Sequence, residues 1–207
     1  METFIAVDKE SGFGLNNIPF GVFRLKQESG EQARCCTRIG DNVIDLSVLE
    51  AENKLGASGK QVFNKPYLND FMDQGQQRWN DVRKALQQLF VKGSDIKQNQ
   101  ELLSRCVHKL ADVELLLPCK VGDYTDFYSS RNHAFNIGCM FRGKDNALQP
   151  NWTWLPVGYH GRASSIVVSP ATFKRPSGQL KNPDDAQPHF GKSKKMDFEL
   201  EMVTVVG

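Results

Sequence analysis

Asp197, Glu199 and Glu201 occupy alternate positions in the stretch 196–202, with Met196, Phe198, Leu200 and Met202 between or beside them. In an extended strand that spacing puts the three carboxylates on one face, with neighbours about 7 Å apart. Carboxylates so arranged either stand in water or collect a hard cation that takes oxygen ligands, and the spacing leaves both readings open. A second concentration of reactive groups is the run 123–133, which holds Asp123, Tyr124, Asp126, Tyr128 and His133. Ser129 or Ser130 suits the cap of a helix beginning near Arg131, so that His133 falls in the first turn and Asp126 in the loop just before it. There the imidazole can stand beside an anion or a metal-bound water, or serve as a satisfied structural histidine. Arg142 offers a planar fork that matches a carboxylate, or else a surface contact. Tyr128 and Tyr159 supply phenolic donors or half-buried core rings. The cluster Lys192, Lys194 and Lys195 reads as a solvated loop rather than a phosphate patch.

These groups need a scaffold, and the residue periods supply one. From 20 to 46 short apolar runs (20–25, 37–39, 43–46) are separated by glycine and polar residues, with a Gly40-Asp41-Asn42 turn, and predict short strands joined by tight turns. Between 68 and 106 the period changes. Trp79, Val82, Leu86, Leu89 and Phe90 fall at three- and four-residue steps, which predicts an amphipathic helix ending near Gly93. A second short helix is expected from about 98 to 106, capped by Ser94 or Asp95. The run 113–117, closed by Pro118, predicts a strand that enters a new unit, and the boundary is placed near Leu117. Further strands are expected at 165–169 and 196–206, and the Pro-, Gly- and Lys-rich stretch 175–195 reads as a long loop. The resulting division is 1–117 and 118–207.

Composition narrows the function classes. The 207 residues are 40% hydrophobic, enough to bury a core, and the net charge of +2 gives no basis for binding nucleic acid or an acidic membrane surface. The five cysteines, 35, 36, 106, 119 and 139, form no CxxC pair and read as free thiols in a reducing compartment. No segment reads as a leader or a membrane span, so a soluble cytosolic protein is expected. Asn151-Trp152-Thr153 fits a glycosylation acceptor by chance only.

The run 122–143, GDYTDFYSSRNHAFNIGCMFRG, resembles the signature of the fumarylacetoacetase (fumarylacetoacetate hydrolase) family. So do Asn151-Trp152 with 155–168, LPVGYHGRASSIVV, while IPFGVF at 18–23 and DLSVL at 45–49 resemble its amino-terminal domain. The resemblance covers essentially the whole chain and corresponds to the amino-terminal half of the family's length.

The resemblance implies an α+β protein, mainly β with some helix: a small SH3-like barrel followed by the start of a mixed β-sandwich catalytic domain. It implies that Asp126, Glu199 and Glu201 ligate a catalytic Ca²⁺, that His133 is the general base, and that Tyr128, Arg142 and Tyr159 hold the substrate. The implied reaction is the hydrolysis of 4-fumarylacetoacetate to fumarate and acetoacetate, in tyrosine and phenylalanine catabolism, by a cytosolic homodimer. The chemistry is coherent: hydroxide adds to one carbonyl, the other fragment leaves as an enolate, and a cation stabilises the developing oxyanion. A structural Mg²⁺ is implied as well, with ligands largely beyond this chain. Ser169-Pro170 departs from the family's usual Ser-Gly. The end at Gly207 implies a partial chain that lacks further site residues. Alternative readings are an acylpyruvate hydrolase or oxaloacetate decarboxylase of the same superfamily, or a non-catalytic truncated form that acts as a binding partner.

Overall fold

The computed structural model describes residues 1–26, 30, 32–56 and 60–206, so Gly207 and the reading attached to it lie outside the described residues. In chain order the first elements are β1 (Phe20–Leu25), β2 (Arg34–Ile39), β3 (Asn42–Asp45) and helix α1 (Leu46–Ala51). Then come α2 (Asn69–Met72), α3 (Gly75–Phe90), α4 (Gln100–Cys106), β4 (Val107–Lys109) and β5 (Val113–Leu116). The five strands form one antiparallel sheet in the order β4-β3-β2-β1-β5. The class is α+β, with more residues in helices than in strands. The sheet stays open among the described residues, with β4 and β5 as its edges, rather than closing into the expected barrel.

Adjacent strand residues go to opposite faces, which is how the alternation in the sequence becomes a core. Val22, Cys35 and Ile44 join the main cluster with Leu46, Leu49, Phe63, Val82, Leu86 and Phe90. Their neighbours Phe23, Cys36 and Val43 pack with Val113 in a second, smaller cluster. Gly40, at φ +56°, makes the β2–β3 turn where a Cβ would come within 2.6 Å of the Ala6 carbonyl. The buried Asp45 caps α1 by accepting the Ser47 and Val48 N–H groups, and its other oxygen takes Arg34 Nε at 2.6 Å.

The expected amphipathic helix is α3, which holds Trp79, Val82, Leu86, Leu89 and Phe90 and ends just before Gly93; Gly75, at φ +78°, separates it from the short α2 ahead of it. The cap of α4 is Asn99, whose side chain accepts the Leu102 N–H at 3.0 Å. Ser94 and Asp95, the two expected caps, instead stand at the start of a short 3-10 turn (Asp95–Gln98), where Ser94 makes no capping bond, and both are too far upstream of Gln100 to reach the first-turn N–H groups of α4. All five cysteines are free, and Cys35, Cys36 and Cys106 are buried.

By packing, the chain divides into two compact units, one made of Met1–Pro118 with Val168–Gly207 and the other of Cys119–Val167. The second contains β6 (Thr125–Phe127), α5 (Arg131–Arg142) and β7 (Gly158–His160). In the segment 168–206, the stretch read as a loop holds a hairpin of β8 (Ser177–Leu180) and β9 (His189–Lys192). A backbone ladder does not require apolar side chains, which is why its polar composition concealed it. The strands expected at 165–169 and 196–206 are not formed. Alternation provides a face but no partner, and Phe198, Leu200 and Met202 are at least 90% exposed. No helix of the described residues is long and apolar enough to cross a membrane.

Candidate active site

Residues 123–133 fold within Cys119–Val167 as a strand, a short connection and a helix. Asp126 lies in β6 rather than in a loop, paired across the ladder with Tyr159 of β7. The antiparallel pairing extends beyond the strands proper: Gly161 N–H donates to Tyr124 O and Tyr128 N–H donates to Val157 O, both at 2.9 Å. Residues 124, 126 and 128 therefore project to one face, and cross-strand partners share a face, so Tyr159 joins them. Two glycines make room for rings. A Cβ on Gly161 would overlap the ring of Tyr124, and one on Gly158 would come within 2.9 Å of the ring of Phe127 on the opposite face.

Beyond Tyr128 the chain turns into α5. Ser130 is the cap, its hydroxyl accepting the His133 N–H at 3.4 Å, so His133 sits in the first turn as its sequence position predicts. The His133 imidazole packs edge-on to Tyr128, with ring centroids 5.5 Å apart and planes at 85°. The Tyr128 hydroxyl points to the Ala134 carbonyl at 3.4 Å. The fold thus gathers Asp126, Tyr159, Tyr128 and His133 around one strand-to-helix corner.

Arg142 lies at the other end of α5. Its Nε donates to Asn146 O at 3.1 Å and its Nη2 to Ala147 O at 2.7 Å, so in this structure the fork is turned onto the backbone that follows the helix. Gly138 permits that closure, because a Cβ there would overlap the Ala147 backbone. Glu199 and Glu201 belong to the segment counted with the other unit, outside any strand. Among the described residues no three or more His, Cys, Asp and Glu side chains are grouped closely enough to hold a metal ion. Sequence reasoning passed over Trp152, whose indole N–H donates to the Tyr128 carbonyl at 2.8 Å. The available signal was chemical: a tryptophan taken partly out of water requires a partner for its N–H.

Residues 16–118 match the family model described as Fumarylacetoacetase N-terminal. Over its whole length the chain is 48% identical to a fumarylacetoacetase of Dictyostelium discoideum and 46% identical to one of Caenorhabditis elegans, covering 49% and 50% of those proteins. Over 99% of its length it is 45% identical to the fumarylacetoacetase of Bos taurus, covering 49% of it. The chain spans about half the length of the curated relatives it matches. With the motif-bearing corner and the core of Met1–Pro118 both inside the matched stretch, the chain belongs to the fumarylacetoacetase family.

Proposed function

We propose that this chain carries the histidine-bearing corner of an enzyme that hydrolyses the carbon-carbon bond of 4-fumarylacetoacetate to fumarate and acetoacetate, the last step of tyrosine catabolism. The observation that carries the reading is the placement of His133 in the first turn of α5, against Tyr128 and beside the strand pair that presents Asp126 and Tyr159. His133 takes the proton from the attacking water. Tyr128 and Tyr159 orient substrate oxygens through their hydroxyls, which converts binding into alignment. Arg142 is the clamp for an anionic end of the substrate, a role in which its fork would exchange the Asn146 and Ala147 carbonyls for a carboxylate.

Asp126, Glu199 and Glu201 are the proposed ligands of Ca²⁺, a hard cation that takes oxygen donors. The described residues do not gather three such groups, so this ligand set rests on donor type and family resemblance. A structural Mg²⁺, a homodimer and a cytosolic location complete the proposal. The match of residues 16–118 to the amino-terminal domain of fumarylacetoacetase favours this reading over an acylpyruvate hydrolase or oxaloacetate decarboxylase. The test is turnover of fumarylacetoacetate with added Ca²⁺ in the active protein. His133→Ala is expected to lower kcat by about 10²- to 10⁴-fold, and an unchanged rate would remove the histidine from the base role.

A further inference from the structure

Tyr128, one residue past the end of β6, still keeps a ladder bond, and both of its backbone polar groups are taken by one short segment. Its N–H goes to Val157 O at 2.9 Å, and its C=O accepts the Trp152 indole N–H at 2.8 Å. Trp152 stands in the 3-10 turn Pro150–Thr153, and the Asn151 carbonyl accepts both the Trp154 and Leu155 N–H groups, which locks that turn to the chain entering β7. The segment therefore grips Tyr128 from two sides, by a backbone carbonyl and by an indole. At this point the chain leaves the sheet for α5, and the ring of Tyr128 meets the imidazole of His133 edge-on.

We infer that Trp152 is a positioning residue for the Tyr128–His133 pair, acting through the single hydrogen bond from its indole to the Tyr128 carbonyl. The inference rests on the reading of His133 as the base. Without the indole N–H, the Tyr128 carbonyl loses its protein donor, the peptide is free to rotate toward water, and the phenol ring shifts against the imidazole.

Two variants separate this role from packing. Trp152→Phe removes the donor and part of the ring, while replacement of Trp152 by 3-benzothienylalanine keeps the shape and puts sulfur where the N–H was. NMR of the histidine-labelled chain follows the ring signals and titration of His133, assigned with His133→Gln, against those of His108 and His189. Both variants should move the His133 signals and leave those of His108 and His189 in place. In the active protein, kcat should fall on the order of tenfold to a hundredfold with KM within about twofold, because misplacement by about an ångström costs that much in alignment. If Trp152→Phe fails to fold, the sulfur isostere decides. Unchanged His133 signals in the isostere protein would overturn the inference. The NMR result stands independently of turnover, so failure of the wild-type protein to hydrolyse fumarylacetoacetate would count against the proposed function alone.

Discussion

Phe23, Phe63 and Phe90 of Met1–Pro118 are fully buried, whereas Phe141 and Trp154 of Cys119–Val167 are 80% and 84% exposed. The first region is held by two apolar clusters, one on each face of a sheet. In the second, Ala134 and Ala147 are the buried apolar side chains among the described residues. What holds this region is a set of specific donors and close approaches: the β6–β7 ladder, the Ser130 cap, the Trp152 indole, the Arg142 fork and Gly138. A region with little apolar burial opens at lower free energy than a packed core, and ligand-binding segments are commonly drawn from such regions. The comparison teaches that stability and candidate chemistry are concentrated in different stretches of this chain. They should therefore respond to different kinds of substitution.

The sharpest break of that comparison pairs two phenylalanines. Phe63→Ala should cost about 3–5 kcal/mol in urea unfolding through the cavity it leaves, and Phe141→Ala should stay within about 0.5 kcal/mol. Similar losses for both would show that Phe141 is packed as a core residue. Next comes Gly138→Ala. In an ordinary helix this exchange is favourable by about 1 kcal/mol. Here the new Cβ meets the Ala147 backbone, so a loss of about 1–3 kcal/mol is expected. Amide exchange should show that loss in α5 and leave β1–β3 protected, whereas a stabilised α5 would sink the packing claim.

A smaller effect belongs to the core. Burial, with lesser contributions from Glu50, Asp45 and Asp70, pushes the Cys35 thiol from about 9 up to about 12, and burial also raises Cys106 to about 12. A thiol that ionises near pH 9 when unfolded, but resists ionisation when folded, makes the unfolded state relatively more favourable as pH rises. The stability is whole below pH 9 and is lost progressively toward pH 12, by at most about 1.4 kcal/mol per pH unit for Cys35. Urea midpoints measured across that window should fall less steeply in Cys35→Ala than in the wild type; parallel slopes would mean that the native thiol ionises freely. The finest distinction concerns the exposed carboxylates. Glu199→Gln should weaken Ca²⁺ binding more than Asp197→Asn does, and equal effects in calorimetric titrations would count against the ligand assignment.

Much of the sheet was legible because its cause is local. Apolar residues alternate through 20–25 and 43–45, and Gly40 provides the positive φ of the turn, so β1, β3 and the β2–β3 hairpin follow from spacing. Helix α3 was legible in the same way from Val82, Leu86 and Phe90, and the start of α5 from Ser130. The cap of α4 was misjudged because Ser94, Asp95 and Asn99 are all competent capping residues, and only the position of the first helical N–H groups selects among them. The β8–β9 hairpin was hidden in a polar stretch. The alternating residues 196–202 suggested a strand that is not formed in this structure.

The sequence by itself therefore determined the elements whose signals lie within a few residues: the alternating strands, the amphipathic helix, the capped turn that carries His133, and the motifs that place the chain in its family. Tertiary structure alone decided which carbonyl the Trp152 indole reaches and that Asp126 faces Tyr159 across a ladder. Those outcomes depend on pairs separated by up to 33 positions. A hydrogen bond between distant residues exists only once the backbone has brought donor and acceptor within about 3 Å, and no local propensity encodes that approach.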